Sequence, residues 1–183
     1  MLKKEARIRY KELRKSLSAN ELAMQSRAIF ERVRSAFPLD EKSISIFLPI
    51  QRFLEIDTWH FLNEINADFY LPVITGENQL EHILYENKAQ IKISDWGIPE
   101  PTYGDRISEA EFDFVLVPLL AIDMKGYRVG YGKGFYDQFL GNCSPNCQFI
   151  GLSYFDPVEK IDDLYEGDIP LHYCITPSEI VKF

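Results

Sequence analysis

Histidine, cysteine and tryptophan are scarce in this chain: its 183 residues include three His, three Cys and two Trp. The odd cysteine count (Cys143, Cys147 and Cys174) excludes a fully paired disulfide framework and fits free thiols in a reducing compartment. Cys143 and Cys147 have no second Cys/His pair beside them, which argues against zinc. No apolar run approaches the ~20 residues that cross a bilayer. The charged start Met1-Leu2-Lys3-Lys4 lacks the apolar stretch of a secretory signal. A cytoplasmic protein with no membrane partner is therefore expected. Positive charge is also short. Lys and Arg number 20 against 28 Asp and Glu, a net charge of -8, which argues against general affinity for nucleic acid.

The composition that remains, 46% hydrophobic and 26% charged, is that of a soluble globular chain long enough for one domain. One region breaks the acidic trend. The first fifteen residues carry seven Lys or Arg against two Glu, enough to receive a small anion or to form a solvated helix face. Leu2, Ala6, Tyr10, Leu13 and Leu17 recur at helical spacing and predict a helix over 2–16 with this apolar stripe inward. Lys3, Arg7, Lys11 and Lys15 line a neighbouring face. Ser18-Ala19-Asn20-Glu21 has the form of a capping box and starts a second helix, stopped at Pro38. Strands are predicted at 43–48, 69–74, 80–85, 112–117 and 148–154, with short helices at 58–65 and 135–140 and a loop over 94–105. One or two further strands fit the last residues. This alternation predicts a single α/β domain over 1–183, with an N-terminal helical pair at about 2–37. Its sheet should be mixed and largely parallel, with helices on both faces in three α/β/α layers. Ligands of such sheets sit beyond the carboxyl ends of the strands.

The most informative stretch is Gly126-Tyr127-Arg128-Val129-Gly130-Tyr131-Gly132-Lys133-Gly134-Phe135-Tyr136-Asp137. Glycines at 130, 132 and 134 let the backbone turn tightly and offer its N–H groups to an anion. The helix start that follows adds more unpaired N–H groups, and Arg128 and Lys133 add fixed positive charge. Tyr127 and Gly134 stand where a Walker A loop needs Gly and Ser or Thr, and the spacing is not that of a dinucleotide fingerprint. A plain glycine-rich turn is the other reading of the glycines taken alone.

The run over 115–140 resembles the signature of the 5-formyltetrahydrofolate cyclo-ligases, also called 5,10-methenyltetrahydrofolate synthetases. Weaker motifs follow in that family's order along nearly the whole chain. These are Lys3-Lys4-Glu5-Ala6-Arg7, Glu55-Ile56-Asp57-Thr58, Leu71-Pro72, Trp96-Gly97-Ile98-Pro99-Glu100-Pro101, Asp168-Ile169-Pro170-Leu171 and Ile175-Thr176. The resemblance implies a three-layer fold shared with sugar-phosphate isomerase and CoA-transferase relatives. It implies a cytoplasmic monomer whose partners are 5-formyltetrahydrofolate and ATP, with Mg²⁺ as cofactor. In the implied reaction ATP phosphorylates the formyl oxygen, N10 attacks the same carbon, and ADP and phosphate leave with 5,10-methenyltetrahydrofolate.

By the same resemblance Lys3, Lys4, Arg7, Arg128, Gly130, Tyr131, Gly132, Lys133, Gly134, Phe135 and Tyr136 hold ATP, with Arg128 and Lys133 stabilising charge on the transferring phosphoryl group. Leu48, Glu55 and Trp96 contact the folate, together with Tyr131, Gly132, Lys133, Gly134 and Phe135. Asp137 and Asp168 place the metal. Each has an ordinary alternative. Asp137 is also a first-turn helix carboxylate, Asp168 also a turn residue, and Trp96 also a core aromatic. Asp123 reads as a turn residue. Ile122, Gln138, Gly167 and His172 depart from residues frequent in the family. Two other functions remain open at this point: an isomerase-like enzyme of the same fold, and a non-catalytic nucleotide or folate binder.

Overall fold

The computed structural model describes residues 1–76 and 79–183. Helix α1 (Lys3–Ser16) is followed by α2 (Ala19–Ala36), whose start carries the expected capping box. Ser18 Oγ accepts the Glu21 N–H at 3.3 Å, and Glu21 Oε2 accepts the Ser18 N–H at 2.8 Å. The chain then runs through β1 (Ser43–Ser45), α3 (Trp59–Glu64), β2 (Asp68–Gly76) and β3 (Gln79–Leu84). Next come two short hairpins: β4 (Ile91–Ile93) with β5 (Pro99–Pro101), and, after β6 (Phe114–Pro118), β7 (Ala121–Ile122) with β8 (Arg128–Val129). Helix α4 (Phe135–Asn142), β9 (Gln148–Leu152), β10 (Tyr173–Ile175) and β11 (Ile180–Lys182) complete the chain. Among the described residues no helix is long and apolar enough to cross a membrane.

The main sheet has seven strands in the order β11-β10-β9-β6-β1-β2-β3. The five inner strands are parallel and each edge strand is antiparallel to its neighbour. This is the mixed, largely parallel α/β sheet that the alternation predicts. Period-two alternation divides the inner strands between two cores. Ile44, Ile46, Phe114, Leu116, Ile150 and Ile175 pack with Ile29, Phe30 and Val33 of α2 and Phe61 of α3. Val115, Val117, Phe149 and Cys174 pack on the opposite face with Phe139 and Leu140 of α4. Each large side chain buried this way contributes about 1.5–3 kcal/mol. Gly151 allows the close approach on that second face, since a Cβ there would meet Leu119 Cδ2 and Leu171 Cδ1 at 2.7 Å.

From β1 the chain first builds outward to β2 and β3, then returns to the other side of β1 with β6 and continues to β9 and β10. The β1/β6 boundary is thus the switch point where such sheets open a crevice at their carboxyl ends. Helix α1 lies apart from the two sheet cores. Its Ala6 and Tyr10 pack on Leu120, Ala121 and Val129 of the β7–β8 hairpin and on Ile161. The buried stripe of α1 corrects the expected one, because it is Lys3, Ala6, Tyr10 and Arg14, with Leu2 exposed. The apolar pattern misleads because two cations face inward toward partners supplied by distant loops.

Candidate active site

A cavity of about 400 Å³ opens beyond the carboxyl ends of β1 and β6, bounded by Phe47, Leu48 and Pro118. Its lining is of two kinds: apolar residues, Ile50, Phe53, Pro72, Ile74, Leu80, Trp96, Ile98 and Pro99, and a polar set of Lys3, Arg7, Arg128, residues 130–137 and Asp168. The two sets meet where Tyr131 stacks on Phe53 and Lys133 approaches Trp96. The cavity therefore gathers nearly every candidate residue. The exception is Lys4, which stands exposed on the outer face of α1 and outside the cavity wall, because a residue next to the buried Lys3 is turned about 100° away on a helix.

The β7–β8 hairpin aims the glycine-rich loop. At its turn, Asp123 Oδ1 accepts the amides of Lys125 and Tyr127 at 2.9 and 3.0 Å, and Oδ2 accepts that of Ile161 at 3.1 Å. Asp123 thus has the turn role expected of it. Beyond β8 the loop crosses two left-handed positions, Gly132 (φ 92°) and Gly134 (φ 74°), before α4 begins. Among the described residues, no amide from 130 to 136 donates a hydrogen bond to the protein. These N–H groups and the start of α4 form a donor-rich concavity suited to an anion.

The four cations around this concavity are not equivalent. Arg128 is buried and spent on the protein: Nη1 donates to Ile169 O and Nη2 to Asp137 Oδ1, each at 2.7 Å. Lys3, also buried, bonds Asp168 Oδ2 at 2.5 Å and lies 4.5 Å from the centre of the Tyr165 ring. Both pairings follow from burial, since a desolvated charge requires a counter-charge. Arg7 donates Nε–H to Gly130 O at 2.9 Å, and its outer nitrogens make no other bond among the described residues. Lys133 is exposed and sits 5.4 Å from the Trp96 ring centre, with no carboxylate partner among the described residues.

Among the described residues, the expected metal carboxylates each keep one oxygen without a hydrogen-bond partner. Asp137 Oδ1 takes the Arg128 guanidinium and the Ile169 amide, and Asp168 Oδ2 takes Lys3 and the Tyr165 amide. Among the described residues no cluster of three or more His, Cys, Asp or Glu forms. Magnesium that takes most of its ligands from phosphate and water needs only one or two carboxylates, so the pair fits it in number and chemistry.

Among the cavity residues, Glu55 Oε2 accepts the Ile50 amide at 2.8 Å. Burial raises its carboxyl above the ordinary range, while the Ile50 amide, the Tyr131 hydroxyl and Arg14 pull it down. Tyr131 stacks on Phe53 with ring centres 4.5 Å apart, and burial together with Glu55 pushes its phenol far up. Trp96 is 58% exposed, so it is a rim residue and not a core aromatic. Its carbonyl is held by Arg52 Nη2 at 2.5 Å from across the mouth. Arg52 and Phe53 line the cavity too but carry no motif of their own, and Glu100 lines it from within the 96–101 motif without having been singled out. Two of the three histidines have structural surroundings. His82 Nε2 meets Ser45 Oγ at 3.0 Å, and His172 Nδ1 accepts the Phe149 amide at 2.9 Å.

This geometry is accompanied by clear relatives. The sequence profile described as the 5-formyltetrahydrofolate cyclo-ligase family matches residues 1–158. A 5-formyltetrahydrofolate cyclo-ligase of Escherichia coli (strain K12) is 29% identical over 147 residues, 75% of this chain and 79% of that protein. One of Mus musculus is 28% identical over 153 residues, 77% of this chain and 74% of that one. Among solved structures, 5,10-methenyltetrahydrofolate synthetase of Aquifex aeolicus aligns with a TM-score of 0.82 at 26% identity, covering 100% of this chain and 93% of its own. With a large cavity at the switch point and a profile match over residues 1–158, this chain belongs to the 5-formyltetrahydrofolate cyclo-ligase family.

Proposed function

We propose that the protein cyclises 5-formyltetrahydrofolate to 5,10-methenyltetrahydrofolate at the expense of ATP, releasing ADP and phosphate. The observation that carries this reading is the row of unpaired amides over 130–136 in the same cavity as an apolar slot. A formyl amide oxygen is a poor leaving group, and phosphorylation turns it into a good one. The two substrates must then meet, and a single cavity that offers both polar and apolar lining brings them together.

In this reading the amides over 130–136 take the phosphate oxygens, with Arg7 and Lys133 as the cations available for direct contact. Arg128 and Lys3, being paired, hold Asp137 and Asp168 in place and add positive field. Asp137 and Asp168 would hold Mg²⁺, which shields phosphate charge when bound. Glu55 accepts N–H groups of the pterin, and Phe53, Leu48 and Trp96 supply apolar and ring surface. Positioning and charge stabilisation dominate phosphoryl transfer. Ring closure is then intramolecular, so holding N10 near the activated carbon supplies much of the rate.

An incubation with 5-formyltetrahydrofolate, ATP and Mg²⁺, each omitted in turn, tests the reading through the absorbance of the methenyl product. Product that requires all three supports it. Binding of both substrates with no product would favour a non-catalytic binder, and product formed without ATP would reject the phosphorylation step.

A further inference from the structure

Arg14 is the side chain whose placement the reading above leaves unused. It lies on α1, eleven residues and roughly 16 Å of helix beyond Lys3, on the same inward face, and is 3% exposed. Its Nη1 donates to Phe53 O at 3.3 Å and to the Tyr131 hydroxyl at 3.2 Å, and its Nη2 donates to Leu119 O. It therefore joins three segments that meet at the cavity: the turn carrying Phe53 and Glu55, the chain just past β6, and the glycine-rich loop. Its Nε is buried without a partner among the described residues. A buried, incompletely satisfied guanidinium is a poor stabiliser compared with an apolar side chain of like volume, so a packing role alone does not account for it.

We propose that Arg14 is a positioning residue for folate recognition, fixing the Tyr131 hydroxyl and the turn that carries Glu55. This rests on the proposed cyclo-ligase reading. Glu55 is faced by Arg14 from α1, by Tyr131 and Tyr136 from the loop and α4, and by Tyr154 beyond β9. Arg14 is the one full positive charge among these four groups. Burial pushes the Glu55 proton affinity up, and Arg14 and the Tyr131 hydroxyl oppose it. Removing either leaves a carboxyl that holds its proton to higher pH and presents fewer acceptor lone pairs to a donor-rich ring. The same contacts keep Tyr131 stacked on Phe53, so Arg14 links folate recognition to the loop that also receives phosphate.

The test compares wild type with Arg14→Met, Arg14→Lys and Tyr131→Phe in the methenyl-forming assay, with folate and ATP varied separately. Arg14→Met is expected to raise KM for folate about tenfold or more, with KM for ATP within about twofold. The acid limb of kcat/KM for folate should move to higher pH. Arg14→Lys should recover part of both effects. Tyr131→Phe keeps the ring stack and removes one oxygen. It should shift folate KM and the acid limb in the same directions, and it decides the matter if Arg14→Met does not fold. Equal loss for both substrates with an unmoved acid limb would overturn the proposal. Unchanged folate KM in Tyr131→Phe would do so as well. A wild-type protein that makes no product would instead reject the cyclo-ligase reading.

Discussion

Lys133 and Glu55 both line the cavity, and their different surroundings assign them different tests. Lys133 is exposed, with a single ring contact, so Lys133→Ala should change stability by less than about 0.5 kcal/mol. It should lower kcat/KM for ATP by about 10²–10³-fold. A melting curve shifted by many degrees with unaltered turnover per folded molecule would contradict the assignment. Glu55 is held by the Ile50 amide and lies near the Tyr131 hydroxyl. Glu55→Gln keeps the shape but loses one acceptor, so KM for folate should rise about tenfold while KM for ATP stays put. Movement of the ATP constant instead would place Glu55 with the nucleotide rather than the folate. Both positions were named on the family resemblance, which gave all four cations to ATP and set Arg128 and Lys133 apart for charge on the transferring phosphoryl group. Only the structure separates Arg128 and Lys3, paired with Asp137 and Asp168, from Arg7 and Lys133. Nor did sequence point to Arg14, because an arginine beside Leu13 reads as solvent-facing until its distant acceptors are known.

At the scale of elements, the loop between β8 and α4 depends on glycine at two levels. Gly134 has φ 74° with nothing within 4 Å of a would-be Cβ, so Gly134→Ala meets no obstacle except backbone strain. That strain should cost about 1–2 kcal/mol, a few degrees in Tm for a domain of this size, and should weaken ATP binding by turning the following amides. Gly130 has equal space and no left-handed φ, so Gly130→Ala should leave Tm unchanged. If the two variants melt alike, the left-handed turn is not what glycine supplies at 134. The long elements were legible because burial imposes a period on them: α2 with its Ser18 box, and β6 with its uninterrupted apolar run. The β4–β5 and β7–β8 hairpins were not, since strands of two or three residues, one flanked by prolines at 99 and 101, are too short to show alternation. Residues 94–105, read as loop, therefore contain β5, which pairs with β4 just before that span, and Trp96 sits in the turn between the two strands.

For the whole molecule, pH is the variable that the core itself resists. His82 is 1% exposed between Phe112 and Phe139, with Ser45 as its polar partner. Burial pulls its pKa from 6.5 to about 3. Above about pH 6.5 the ring is neutral folded or unfolded, and it contributes no pH dependence. Between that pH and about 3, the unfolded chain takes a proton that the folded chain refuses, so stability falls with acidification by up to about 1.4 kcal/mol per pH unit. His82→Gln should remove that share of the slope when urea midpoints are followed from about pH 6.5 to 4. An equal slope in both proteins would mean that the ring is hydrated in solution.

The crevice at the β1/β6 boundary joins stretches far apart along the chain: Lys3, Glu55, Lys133 and Asp168 all line it. No single segment can assemble the seat, and unravelling any of the four dismantles it. Occupancy therefore draws the population toward the fully assembled state by mass action, so that the ligands act as removable rivets across the seam of the sheet.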